Sequence, residues 1–228
     1  AVKGIANTGA TDAVAQKDIG NKRPLHTLEN SEEVRDFYDD WSLDNQYNID
    51  MFDWNYTGPK ESVDSLKRFA PDRNMLIFDA GCGSGLVGAE LTAAGYRNLH
   101  GADLSTKLLE RVPAGLYQQL QQLDLNRPLG IANRTYDALM CVGTFTYGHV
   151  AAHALDEFVR ITKPAGLICF TINEGIYESH GFEAKIRQLE ECGAWQKEAF
   201  FKSEYLASKE VNAWLGLYRV IDHPRSLD

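Results

Sequence analysis

The segment Met75-Leu76-Ile77-Phe78-Asp79-Ala80-Gly81-Cys82-Gly83-Ser84-Gly85 constrains this chain more than any other. Four consecutive apolar residues run into an acid and then into glycines at alternate positions. A short, continuous apolar run suits a strand buried on both faces. The glycines let the backbone turn sharply and bring it close to a ligand with no Cβ in between. Val87, Leu91 and Ala94 follow at helical spacing, and Gly95 ends the pattern. Strand, glycine turn and helix together open an α/β unit, in which ligands bind outside the carboxyl ends of the strands.

The alternation continues downstream. Residues 98–102 predict a second strand, and Ser105 can cap a helix carrying Leu108, Leu109 and Val112. Residues 116–120, 136–142 and 166–172 predict the third, fourth and fifth strands. Leu155, Phe158, Val159 and Thr162 fall on one helical face, ended by Lys163-Pro164, and Phe182, Ile186 and Leu189 mark a further helix. Residues 195–221 read as two strands joined by a loop. The expected fold class is α/β, a Rossmann-like, doubly wound, mostly parallel seven-stranded sheet with an antiparallel C-terminal hairpin. Upstream, Val34, Phe37, Tyr38 and Trp41 are spaced i, i+3, i+4 and i+7, with Asn30 and Glu33 as a capping box. An aromatic segment with Tyr47, Phe52, Trp54 and Tyr56 follows. Gly58-Pro59 then reads as a break before a short helix to about residue 70. Residues 1–30 are small and polar without periodicity and are expected to form a flexible arm. Residues 31–228 form the domain, with 31–70 as a helical lid over a core at 75–222.

Composition narrows the partners. The 228 residues carry a formal net charge of -9, with 44% hydrophobic and 24% charged content. A length like this buries a full core. Nucleic-acid binders need a basic footprint, so nucleic acid and anionic membranes are poor partners. No apolar run reaches the roughly 20 residues that span a bilayer. The first thirty residues lack the apolar stretch of a secretion signal, and a cytoplasmic location is expected. Cys82, Cys141, Cys169 and Cys192 show no CxxC pairing and read as small buried hydrophobes. His149 and His153 are spaced i, i+4 but no third ligand follows, so no metal site is expected.

The glycine loop admits two ligands. Gly83, Gly85 and Gly88 satisfy G-x-G-x-x-G, and Asp103 lies twenty positions after Gly83, where the ribose acid of a dinucleotide fold sits. Under that reading the chain is an NAD(P)-dependent oxidoreductase. Two features favour a different cofactor. Asp79 ends the strand, where a carboxylate repels a pyrophosphate but can help to hold a cationic amino-acid group. The terminal hairpin also suits a methyltransferase sheet better than a second mononucleotide-binding half.

With these residues the sequence resembles the class I methyltransferases that use S-adenosylmethionine. Asp79, Gly81, Gly83 and Gly85 resemble their first motif. The resemblance implies that Asp103, with Leu104 beside it, binds the ribose hydroxyls, since a carboxylate can accept two hydrogen bonds. It implies that Asp124 and Leu125 hold the adenine, and that Val142 and Gly143, in Tyr136-Asp137-Ala138-Leu139-Met140-Cys141-Val142-Gly143, face the reacting methyl. Lys163-Pro164-Ala165-Gly166-Leu167 resembles the turn before the fifth strand. The likeness covers about residues 31–222. A narrower resemblance, to the Williams-Beuren syndrome region methyltransferase-like group, rests on Phe37-Tyr38-Asp39-Asp40-Trp41, Leu99-His100-Gly101-Ala102-Asp103, Pro113-Ala114-Gly115-Leu116-Tyr117-Gln118 and Ile161-Thr162-Lys163-Pro164.

Methyl transfer from a sulfonium is a direct displacement that demands alignment and exclusion of water. The resemblance implies S-adenosylmethionine as donor and S-adenosylhomocysteine as product, but not the acceptor; the acidic balance and the aromatic segment favour a neutral or cationic small-molecule acceptor with a nitrogen or oxygen nucleophile, such as an amine. A non-catalytic protein that binds the same ligand is the alternative. Tyr38, Trp41 and Tyr47 are expected to close over the site, Tyr38 on the cofactor and Trp41 toward the acceptor. Tyr47 and His149 are the candidate catalytic residues, His149 as a base because histidine titrates near neutral pH. The expected loop Gly143-Thr144-Phe145-Thr146-Tyr147-Gly148-His149 offers Thr144 and Tyr147 to the acceptor, with Glu174 and His180 at the site edge.

Overall fold

The computed structural model of the chain describes residues 27–147 and 150–222. Strand β1 (Leu76–Ala80) is the buried apolar run, and it leads into the glycine turn and helix α4 (Leu86–Ala93). The other strands are β2 (Asn98–Asp103), β3 (Gln119–Gln122), β4 (Tyr136–Phe145), β5 (Thr162–Asn173), β6 (Trp195–Leu206) and β7 (Val211–Val220). They form one seven-stranded sheet in the order β3-β2-β1-β4-β5-β7-β6. The first five are mutually parallel, while β7 inserts antiparallel between β5 and β6. The order reverses beside β1, because β2 and β4 flank it. That reversal opens a crevice at the carboxyl ends of these strands.

Side chains alternate along each strand and divide into two cores. Phe78, Leu139, Cys141, Ile168 and Phe170 belong to one, with Phe158, Phe182 and Trp195. Ile77, Ala138, Met140, Leu167 and Cys169 belong to the other, with Leu66 and Leu91. Two faces buried under helices α3 (Gly58–Phe69), α4, α6 (Ala154–Ile161) and α7 (Phe182–Glu191) explain why the central strands read as continuous apolar runs. The alternation of strand and helix, the seven strands and the antiparallel hairpin all match the expected class.

Several local expectations shift. The third strand starts at Gln119, not at 116, because Leu116 and Tyr117 turn inward and Tyr117 donates its hydroxyl to Asp79 at 2.5 Å. β4 continues through Phe145, so Gly143 and Thr144 lie in the strand rather than in a loop; a register shift there and the Gly143 N–H bond to Thr171 Oγ1 accommodate the positive φ of Gly143. Thr162 begins β5 instead of ending the preceding helix. Gly58-Pro59 forms the first turn of α3, where the missing proline N–H costs nothing, rather than breaking the chain. Val63 and Leu66 of α3 pack into the sheet core, so the roof is confined to α1 (Ser31–Trp41) and α2 (Gln46–Asp53). Asn30 caps α1 through Glu33 N at 3.0 Å, but the Glu33 carboxylate returns to Glu29 N rather than to Asn30 N. Ser105 caps the short helix α5 (Thr106–Leu109). Cys82, Cys141 and Cys169 are buried, whereas Cys192 is exposed. No helix among the described residues is long and apolar enough to cross a membrane.

Candidate functional site

A cavity of about 820 Å³ occupies the crevice. Its floor is built from the ends of four strands: Gly81, Cys82, Gly83 and Ser84 after β1, Asp103, Leu104 and Ser105 from β2, Leu123, Asp124 and Leu125 after β3, and Val142, Gly143 and Thr144 within β4. Tyr38 from α1, Tyr47 from α2, and Tyr56 with Pro59 complete the walls.

Asp103 is the hub of the loop geometry. Its Oδ2 accepts from Gly83 N and its Oδ1 from Ser105 N, each at 2.8 Å. Burial raises the pKa of its carboxyl, against the lowering effect of these backbone donors. Each oxygen keeps a further lone pair for a ligand. Asp124 accepts from Asn126 N at 2.9 Å and faces Arg127 Nε at 3.5 Å. Gly81, with φ +76°, has no room for a Cβ, which would overlap the Thr144 hydroxyl. Gly83, with φ +54°, has only Leu108 at 3.9 Å from such a Cβ, so the backbone is bare where the cavity begins.

Asp79 and Gly85 stand behind the lining rather than in it. Asp79 is buried; one oxygen takes the Tyr117 hydroxyl and Oδ1 is without a hydrogen-bond partner. Burial first, opposed by the tyrosine bond, pushes its carboxyl up to about 7. The folded chain therefore holds this proton more tightly than the unfolded chain, where a carboxyl titrates at about 3.9. Asp79 penalises the fold least below that lower value, and stability falls as pH rises to about 7. Asp79→Asn removes the ionisation, so its ligand-free melting temperature should exceed that of the natural chain most at pH 8, with the gap narrowing toward pH 4. Equal gaps at both pH values would contradict the assignment.

Helices α1 and α2 are fastened to the very loops that form the floor. Ser84 donates to Asn48 Oδ1 at 2.5 Å, and Ser105 donates to Asp39 Oδ1 at 2.5 Å, beside Lys107 N at 3.2 Å. Tyr38 and Tyr47 line the cavity with ring centroids 6.2 Å apart, and burial raises the pKa of both hydroxyls. Trp41 does not line it. Trp41 is buried among Phe37, Met51 and Trp54, and its indole N–H donates to Asp50 Oδ2 at 2.7 Å. Tyr147 is also absent from the lining; its hydroxyl lies against Gly175 and its ring stands edge-on to His180 at 6.1 Å. Among predicted site residues, His149 lies outside the described residues.

The expected residues brought together around the cavity are Tyr38, Tyr47, Gly81, Gly83, Asp103, Leu104, Asp124, Leu125, Val142, Gly143 and Thr144. Sequence reasoning missed Tyr56, Asn48 and Asp39. Tyr56 stood in the aromatic segment, but nothing in its spacing separated it from its neighbours.

The fit to a nucleoside-bearing methyl donor is good: an acid with free lone pairs at one strand end, a bare glycine backbone at the next, and an unpaired buried carboxylate oxygen behind that backbone. Residues 78–170 match a family described as a methyltransferase domain. Human methyltransferase-like protein 27 is 36% identical over 181 residues, covering 76% of this chain and 73% of that protein. Among solved structures, the magnesium protoporphyrin IX methyltransferase of Synechocystis PCC 6803 aligns with a TM-score of 0.62 at 16% identity, over 86% of this chain and 98% of that one. The [4+2]-cyclase SpnF aligns equally well at 12% identity, over 86% and 98%. These structural likenesses carry the fold, which hosts more than one chemistry. The methyltransferase-domain match and the human relative carry the family, and the oxidoreductase alternative falls with them: this chain belongs to the S-adenosylmethionine-dependent methyltransferases.

Proposed function

We propose that the chain transfers the methyl group of S-adenosylmethionine to a small-molecule acceptor with a nitrogen or oxygen nucleophile. The observation that carries this reading is the roofed cavity of about 820 Å³, a size typical of small-ligand sites. On this reading Asp103 binds the ribose hydroxyls with Leu104 beside it, Asp124 and Leu125 hold the adenine, and the Gly81 and Gly83 backbone lies along the methionine part, with Asp79 and Gly85 shaping that turn. Because β1 lies between β2 and β4, a ligand anchored at Asp103 that crosses the glycine loop reaches Val142, Gly143 and Thr144. The bound donor supplies an activated methyl on a sulfonium, ready for displacement. The chain's own task is to align the acceptor and keep water out. Tyr38 and Tyr47 roof the site. Burial holds the Tyr47 hydroxyl protonated at neutral pH, so its role is to donate a hydrogen bond rather than to act as a base. Thr144 is proposed to touch the acceptor, and His149 to take a proton where the acceptor must lose one. Trp41 and Tyr147 would act on the acceptor only indirectly, through the packing of the roof and of the β5 edge. The four quoted segments also support membership of the Williams-Beuren syndrome region methyltransferase-like group.

The test is transfer of radiolabelled methyl from S-adenosylmethionine into a cell extract split into deproteinised metabolites and washed protein. Label in the metabolite fraction is expected. Label confined to protein would overturn the small-molecule acceptor, and binding of the donor without transfer to either fraction would favour a non-catalytic ligand-binding protein.

A further inference from the structure

Tyr56 and Tyr205 come from opposite ends of the domain, one from the turn between lid and α3, the other from the end of β6. Their rings meet edge to face with centroids 5.1 Å apart. Both hydroxyls gather over Gly143: a Cβ there would collide with the Tyr56 oxygen and would lie 3.3 Å from that of Tyr205. The absence of a side chain at Gly143 is what admits them. Tyr205 has φ +50°, a left-handed conformation that a bulky residue adopts only under constraint. Its carbonyl accepts from Thr57 N at 2.9 Å, its N–H donates to Ser203 Oγ at 3.1 Å, and a single bridge joins Tyr56 to Leu206. The hairpin is thus bent to deliver one hydroxyl to one point. Tyr56 lines the cavity, whereas Tyr205 is buried behind it.

We infer that the Tyr56 oxygen, held over Gly143 by Tyr205, is the subsite for the positively charged methylsulfonium of the donor, an inference that rests on the proposed path of the cofactor from Asp103 to Gly143. Methyl C–H bonds on a sulfonium are polarised toward positive charge and are met well by an oxygen lone pair. Tyr38 and Tyr47 line the same cavity. Tyr56 is the contact, and Tyr205 is a positioning residue that acts through it. Burial keeps both hydroxyls neutral, the Tyr205 hydroxyl being pushed up to about 12, so the subsite offers oxygen and no competing titration at neutral pH.

The product, S-adenosylhomocysteine, carries no charge at sulfur, and this separates a sulfonium subsite from a structural staple. Calorimetry at pH 7.5 would measure the dissociation constants of both ligands for the natural chain, Tyr56→Phe and Tyr205→Phe. Tyr56→Phe should weaken S-adenosylmethionine about two- to fivefold while leaving S-adenosylhomocysteine unchanged. Tyr205→Phe should move the ratio in the same direction by less. Equal weakening of both ligands, or no change in either, would overturn the inference and leave the pair as a clasp between lid and hairpin. Failure of the natural chain to bind either ligand would instead overturn the cofactor reading on which the inference stands. Thermal melts of both variants would identify a folding defect, and either variant alone decides the question because each keeps its ring.

Discussion

Asp103→Ala is expected to weaken S-adenosylmethionine binding on the order of 10- to 100-fold, the largest loss from any single truncation in the cavity. Hydrogen bonds to a charged acceptor contribute about 1.5–3 kcal/mol each. The carboxylate also organises its own surroundings, accepting from Gly83 N and Ser105 N at 2.8 Å. The alanine variant therefore loses the proposed ribose acceptor and unties the glycine loop from β2. Asp103→Asn separates the two effects. Its amide oxygen can keep one backbone bond, and its amide nitrogen cannot accept. Titration calorimetry should rank the natural chain, then Asn, then Ala. Unchanged affinity in Asp103→Ala would remove the ribose from this end of the cavity and with it the proposed path toward Gly143.

Gly81→Ala is expected to be the most damaging small substitution. A left-handed φ of +76° costs an alanine about 1–2 kcal/mol, and the added Cβ overlaps the Thr144 hydroxyl near the end of β4. A loss of that size lowers the melting temperature of a domain this large by about 5 °C, and the displaced turn should also lose donor binding at least tenfold. Gly83→Ala is the control. It carries a similar backbone penalty at φ +54°, but its Cβ meets only Leu108 at 3.9 Å. It should melt closer to the natural chain and still bind donor weakly, because Gly83 lines the cavity. Equal melting of the two variants would mean that Thr144 yields and that backbone conformation alone decides the cost.

Both predictions turn on residues that the sequence singled out, and the reason is local. Asp79, Gly81, Gly83 and Asp103 sit at fixed offsets from buried strands, and the rules that identify them, a continuous apolar run and glycines where φ is positive, act over a few residues. The same locality made the α1 face legible: Val34, Phe37 and Trp41 are buried as their spacing implied. It failed where a longer-range partner decides. Nothing in the run 116–120 says that Tyr117 will turn inward to meet Asp79, 38 positions earlier, and so delay β3 to Gln119. Likewise the end of β4 is set by its neighbour, because pairing with β5 carries the strand on to Phe145.

The α1–α2 segment shows the division most clearly. Its aromatic content was evident, but the orientation of each ring was not. Trp41 is turned into the small core by Asp50 and away from the cavity, while Tyr38, three residues earlier on the same helix, faces the cavity. Asp39 and Asn48 read as ordinary polar residues of a helical cap until Ser105 and Ser84 are seen to bond them.

The sequence by itself determined the sheet's class, the glycine turn after β1 and the acids at the strand ends, because burial pattern and backbone freedom are properties of short segments. Only the tertiary structure decided which side chains close the site. The meeting of Tyr56 and Tyr205 over Gly143 depends on a strand order that sets β7 beside β5 and brings the end of β6 back to the lid, and no local preference encodes a contact between residues so far apart in the chain.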